Sequence, residues 1–175
     1  MRIIAGRFRS RKIKPVPGMK VRPTPDRLRE ALFNVLQPRI EGTVFVDAYS
    51  GTGAVGIEAL SRGAKQAVLI EKKPEAMNVL RENVQALGIE NEVLVIRGSA
   101  IVQLPKQQGD IVFLDPPYEQ IKDYDICLKA LPETGCTLAI AQHSSRLILD
   151  EAYGPYKKIR ILRQGENSLS FFAIT

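Results

Sequence analysis

The sequence predicts an α/β fold: a mostly parallel sheet covered by helices on both faces and finished by an antiparallel edge. Three observations predict it. Short apolar runs alternate with amphipathic segments between residues 43 and 143. Glycine or proline punctuates most of the junctions. Two strand-like segments, 157–164 and 167–175, flank Gly165-Glu166, a hairpin signal. A chain of 175 residues, 45% hydrophobic and 25% charged, fits one soluble globular domain.

The elements follow in order. Residues 1–22 read as a basic arm, and 23–175 as the globular body. In the arm Ile3, Ile4, Phe8, Ile13 and Val16 interleave with the charges, which predicts an ordered β-hairpin rather than a loose tail. Gly18, Pro23 and Pro25 mark its exit. A helix follows, with Thr24 as its cap, Pro25 at the first helical position, and Leu28, Leu32, Phe33 and Leu36 on one face. Then come a strand at 43–50, a helix at 54–63 ended by Gly63, and a strand at 66–72. The next helix spans 74–88, from Pro74 to Gly88. Further strands lie at 91–98, 110–115 and 137–143.

Several classes are excluded early. No window approaches the roughly 20 apolar residues of a membrane span, and the basic N-terminus lacks the apolar run of a signal peptide. With two cysteines, Cys127 and Cys136, and one histidine, His143, a metal site is not expected. The reduced cytoplasm is the expected location. Charge is uneven: residues 1–29 carry ten basic side chains against Asp26 alone, so this segment holds +9 of a chain whose total is +6. Such an arm suits a polyanion, and nucleic acid is the favoured partner, with Arg7, Arg9, Arg11, Lys12 and Lys14 as candidate contacts.

The chemistry concentrates at two strand ends. "DAYSGTGAVG" (47–56) contains a G-x-G-x-x-G loop, with Glu71 twenty residues beyond Gly51. Glycines at 51, 53 and 56 also suit a plain strand-to-helix turn. Asp47, four residues before Gly51, disfavours a pyrophosphate and favours a cationic ligand such as S-adenosylmethionine. Glu71 is then placed to accept from ribose hydroxyls. The second strand end is "DIVFLDPPY" (110–118). Asp115 and a backbone carbonyl fixed by Pro116 and Pro117 can both accept hydrogen bonds from an aromatic amine, aiming its lone pair. Tyr118 offers a face for an extruded base. A Pro-Pro turn bearing a surface tyrosine is the bland counterpart.

Asp-x-x-x-Gly-x-Gly followed by Asp-Pro-Pro-Tyr resembles the exocyclic-amine methyltransferases. "IIAGRFRSRKIKPVP", "RPTPDRLREALFNVL", "DAYSGTGAVGIEALSRGA" and "IVFLDPPY" together resemble the RsmD-type 16S ribosomal RNA guanine-N2 methyltransferases. The resemblance implies a Rossmann-like class I methyltransferase fold with a seven-stranded sheet, and methylation of one guanine N2 amine in small-subunit rRNA. It also implies that Asp47, Gly51, Gly53 and Glu71 line an S-adenosylmethionine site and that Asp115 to Tyr118 hold the target base. Arg22 and Thr24 fall in a segment near the methionine end of the cofactor in such enzymes. Near the adenine, where relatives commonly carry Asp or Asn, this chain has Ser99 and Ala100. The expected partner is 16S rRNA, in a partly assembled small subunit, met by a monomer that touches no membrane. Rival readings are a DNA adenine-N6 methyltransferase, a glutamine-amide protein methyltransferase, a nicotinamide oxidoreductase and a non-catalytic RNA-binding module.

Overall fold

The computed structural model describes residues 1–18 and 24–175. Among them, eight strands form one sheet in the order β3-β2-β1-β4-β5-β8-β7-β6. They are β1 (Val44–Asp47), β2 (Gln66–Glu71), β3 (Val93–Arg97), β4 (Ile111–Leu114), β5 (Leu138–Ser144), β6 (Ala152–Tyr153), β7 (Tyr156–Gln164) and β8 (Asn167–Ile174). β1 to β5 pair in parallel, whereas β8 runs antiparallel to both β5 and β7. The expected antiparallel edge is therefore present. The expected seven strands become eight because β6, two residues long, adds to β7 at the rim. A two-residue strand has no periodicity to read.

Among the described residues six α-helices cover the sheet: α1 (Asp26–Ile40), α2 (Ala54–Ser61), α3 (Pro74–Leu87), α4 (Ala100–Gln103), α5 (Lys122–Lys129) and α6 (Leu131–Thr134). Strand residues alternate between two cores. Phe45, Ile111, Phe113 and Ile140 join α1, α2 and α3 on one face. Val46, Val112, Leu114 and Ala139 join α5 and α6 on the other. Burial on both faces is why the central strands read as unbroken apolar runs. No described helix is long and apolar enough to cross a membrane.

Two local expectations are corrected. Pro25, not Thr24, takes the cap position of α1, and the cap makes no side-chain hydrogen bond. Pro25 is extended (φ −53°, ψ 141°), so the helix begins only at Asp26. The basic arm folds back on itself, but as an irregular loop with a single antiparallel bridge, Arg2 to Lys12, rather than a regular hairpin. Its ends are joined by Ile3 N–H to Arg11 O and Ile13 N–H to Met1 O, both at 2.9 Å. Ladder pairing goes no further: Arg9, Ser10 and Arg11 N–H close turns within the arm, while Ile4 and Ala5 N–H donate to Glu58 and Arg7 N–H donates to Ser61 O. Ile3 and Ile13 are buried in the same core as α1 and α2.

Candidate functional site

The sheet order changes direction at β1. β2 and β3 lie to one side of it, β4 and β5 to the other. Loops leaving the carboxyl ends of β1 and β4 must therefore part, and ligands of such sheets bind in the gap. Here the gap is a cleft of about 1230 Å³. Asp47 ends β1 and Asp115 directly follows β4, so both carboxylates stand at its floor.

Asp47 is 1% exposed. Its Oδ2 accepts from Gly56 N–H at 3.3 Å, whereas Oδ1 has no hydrogen-bond partner among the described residues. Burial, and next the charge of Asp115, push the Asp47 carboxyl up to about 7. Burial likewise pushes Asp115 up to about 7. A buried oxygen without a partner, beside a second carboxylate, is an electrostatic deficit that a cation in the cleft would offset.

The glycine loop is built around this deficit. Gly51 (φ +54°) donates its N–H to Glu71 Oε2 at 2.8 Å, and a side chain there would enter open space. Gly53 caps α2 at φ +88°, a left-handed conformation that favours glycine, and a Cβ there would also have to displace the end of the Leu80 side chain, 2.4 Å away. Glu71, half-buried, also accepts from Lys72 and Lys73 N–H through Oε1, at 3.0 and 2.9 Å. Its carboxylate thus holds the glycine loop in register as well as lining the cleft.

The other sequence candidates distribute as follows. Thr24, Ser99, Ala100, Pro116, Pro117 and Tyr118 line the same cleft. Ser99 precedes α4, where its carbonyl accepts from Val102 and Gln103 N–H while its hydroxyl makes no cap bond. Tyr118 is 64% exposed at the rim, consistent with a face offered to something outside the chain. Arg22 lies outside the described residues. Of the arm cations, Arg7 pairs with Glu92, Lys14 pairs with Glu82 at 3.0 Å, and Arg11 donates to Ala86 O at 3.1 Å. Arg9 and Lys12 are exposed and make no ion pair among the described residues.

Sequence reading missed a polar strap across one wall. Tyr49 Oη donates to Asp123 Oδ2 at 2.7 Å. The Gln120 carboxamide lies beside both Asp123 and Lys72; with its nitrogen turned to Asp123 it donates to the same Oδ2 at 3.0 Å and its oxygen accepts from Lys72 Nζ at 3.3 Å. Three separate segments meet there, at Tyr49, at Lys72 and at 120–123, and no local pattern announces such a meeting. Burial first, then Cys127 and Asp123, hold the Tyr49 phenol well above the usual tyrosine range, so it remains the donor. Cys127 touches this strap at 3.5 Å, but burial pushes its thiol up to about 11, which leaves no thiolate nucleophile near neutral pH. His143 spends both ring nitrogens internally, on Ser144 O and Ser170 Oγ, in keeping with a packing role. Gln142, whose Oε1 is buried without a partner, also lines the cleft. Among the described residues no group of three or more His, Cys, Asp or Glu could hold a metal ion.

The chain has relatives among known proteins. The family model described as conserved hypothetical protein 95 matches residues 1–173. Ribosomal RNA small subunit methyltransferase D of Haemophilus influenzae is 41% identical over 123 residues, which cover 67% of this chain and 64% of that protein. The matched stretch is thus a little under two thirds of the relative's length. The solved structure of a hypothetical protein from Thermus thermophilus superposes with a TM-score of 0.83 at 33% identity, covering 99% of both chains. An RNA methyltransferase from Salinibacter ruber, solved in complex with S-adenosyl-L-homocysteine, superposes at 0.66 with 17% identity, over 87% of this chain and 94% of that one. That last likeness concerns the fold alone, and the fold is that of the class I methyltransferases.

Proposed function

The chain belongs to the family described as conserved hypothetical protein 95, and on that premise we propose that it is an S-adenosylmethionine-dependent methyltransferase acting on the N2 amine of a guanine in 16S rRNA. The observation that carries the proposal is the pairing of two strand-end carboxylates, Asp47 and Asp115, in one cleft whose rim holds an exposed tyrosine. The cofactor fits the residues present. Its ammonium and sulfonium answer the unpartnered Asp47 oxygen, and it carries no phosphate to be repelled there. Glu71 lies within the cleft for the ribose, and the Ser99 hydroxyl, free of any cap bond, for the adenine.

When bound, S-adenosylmethionine supplies an electrophilic methyl group on sulfur. The protein's task is to make a poor nucleophile attack it. A guanine amine has its lone pair delocalised into the ring. Asp115 Oδ and a carbonyl of the Pro116-Pro117 segment accept its two N–H bonds, draw it toward tetrahedral geometry, and aim the lone pair. The prolines hold φ near roughly −65°, so the carbonyl is aimed before the base arrives. Tyr118 stacks against the extruded base. As the N–C bond forms, the methyl–sulfur bond would break with its electron pair left on sulfur, and the nitrogen, now acidic, would lose its proton to water, so Asp115 acts as an orienter. The basic arm, through Arg9 and Lys12 above all, meets phosphates and positions the RNA without reading its sequence. The reading includes a monomer working in the cytoplasm, on rRNA within a partly assembled small subunit.

The test is methyl transfer from labelled S-adenosylmethionine to naked 16S rRNA, assembling small subunits and duplex DNA, each digested to nucleosides for mass spectrometry. N2-methylguanosine from RNA or subunits alone is the expected product. N6-methyladenine from DNA would keep the tip chemistry and overturn the substrate class. Silence on all three acceptors would overturn nucleic acid as the substrate.

A further inference from the structure

Asn83 is a buried polar residue, 3% exposed, on a face of α3 otherwise made of Ala76, Met77, Val79, Leu80 and Val84. Its carboxamide uses every strong hydrogen-bonding direction it needs. Oδ1 accepts from Lys14 N–H at 2.8 Å, and Nδ2 donates to Lys14 O at 3.2 Å. This two-point grip on one backbone residue fixes which way the amide faces. The second Nδ2 proton then goes to Thr52 O at 2.9 Å. Lys14 belongs to the basic arm, and Thr52 sits between Gly51 and Gly53. One buried side chain therefore joins the arm to the glycine loop.

The junction has a second strand of evidence. The arm does not merely lie beside the cleft: Met1, Pro15 and Val16 form part of its wall. Lys14, gripped by Asn83, immediately precedes Pro15. A change in the arm's seating thus reaches the cleft wall directly and reaches the glycine loop through the amide. Neither aspartate nor leucine could replace the junction, since aspartate offers no donor for Thr52 O and leucine offers neither donor nor acceptor.

We infer that Asn83 is a positioning residue that couples RNA on the arm to cofactor in the cleft, so that each ligand raises the affinity for the other. The inference rests on the functional reading above. Both ligands need the same backbone held: RNA needs the arm seated, and the cofactor needs Gly51 to Gly53 in place. Whichever binds first prepares the shared junction for the second, and the coupling is equal in both directions.

The experiment is filter binding of 16S rRNA to the full chain, with and without saturating S-adenosylhomocysteine. Wild type is compared with Asn83→Ala, Asn83→Asp and, as a control, Gln85→Ala, which removes only an exposed side chain on the same helix. Wild type is expected to bind rRNA at least about fivefold more tightly with the nucleoside present. Asn83→Ala should bring that factor to within about twofold of one. Asn83→Asp keeps the acceptor for Lys14 N–H but loses both donations and should lose the coupling too, which secures the test if the alanine variant folds poorly. Gln85→Ala should keep it. No coupling in wild type, or equal coupling in the Asn83 variants, overturns the inference while leaving the substrate reading intact. Failure of wild type to bind rRNA, whether naked or in assembling subunits, overturns both.

Discussion

Asp47 and Asp115 end neighbouring strands, and their shared environment has a consequence that pH exposes. Burial raises both carboxyls from 3.8 to about 7. Between those values the folded protein holds protons that the unfolded chain has released, so stability falls as pH rises from about 4 through about 7. The slope is at most about 1.4 kcal/mol per pH unit for each group. Urea midpoints of the ligand-free protein should show this decline, and Asp47→Asn should flatten it. Cofactor affinity should run the opposite way, rising between about pH 6 and 8 as the carboxylates ionise to meet a cation; a flat titration profile would contradict the assignment of Asp47. Asp115→Ala should bind cofactor nearly normally, since Asp47 loses a repelling neighbour, yet turnover should drop on the order of 10²–10³-fold. Rapid-quench methylation of 16S rRNA against calorimetric binding of the cofactor separates the two effects. Both aspartates were legible in the sequence because each terminates a strand in its own local pattern. Asn83 and the strap from Tyr49 to Lys72 were not, because their partners lie 31 to 74 residues away. A buried asparagine within an amphipathic helix looks like any polar position until its partners are known.

At the scale of elements, the arm is held by a buried ionic clasp. Glu58, fully buried on α2, accepts from Ile4 N–H at 2.8 Å, Ala5 N–H at 3.1 Å and Arg62 Nε at 3.0 Å. Arg29 on α1, also fully buried, stands with Nε 3.8 Å from Glu58 and donates to Arg2 O at 2.5 Å. Ser61 completes the clasp, donating to Ala5 O at 2.6 Å and accepting from Phe8 N–H at 3.0 Å. Here the arm's backbone is packed so closely that a Cβ on Gly6 (φ +87°) would lie 1.8 Å from Ser61 O. Burial lowers the Arg29 guanidinium below its usual range, and Glu58 opposes that shift. Removing the carboxylate leaves a buried cation and two orphaned N–H groups. Glu58→Ala should therefore cost about 3–5 kcal/mol in urea unfolding, and Glu58→Gln, which keeps acceptors for the backbone, distinctly less. Equal losses in the two variants would assign the clasp to packing rather than charge. The helix periodicity placed Leu28, Leu32, Phe33 and Leu36 correctly in the core. It gave no sign that Arg29 sits among them, because a charged residue beside an apolar stripe ordinarily faces water.

The charge pattern of the whole molecule was legible as composition but not as surface. A +9 segment on a mildly acidic remainder reads as an arm projecting its cations outward. Folding spends part of that charge on the body. Arg7 meets Glu92, Lys14 meets Glu82, Arg11 turns to the carbonyl of Ala86 near the end of α3, and Arg29 goes to the clasp. The acids that receive Arg7 and Lys14 are among those that made the remainder acidic, so the two regions partly neutralise each other in three dimensions. What is left facing outward on the folded-back loop includes Arg9 and Lys12, and these should carry its phosphate contacts. Replacing both by alanine should reduce the slope of log affinity against log salt by about two, close to one for each phosphate no longer neutralised, and weaken binding to unrelated RNAs equally. Replacing Arg7 and Lys14 together should change the slope by less than about one and lower the unfolding midpoint instead, because these two side chains help to hold the arm in place. A reversed order, with Arg7 and Lys14 dominating the slope, would mean that RNA lifts the arm off α3, and the seat that Asn83 provides would then belong to the RNA-free protein alone.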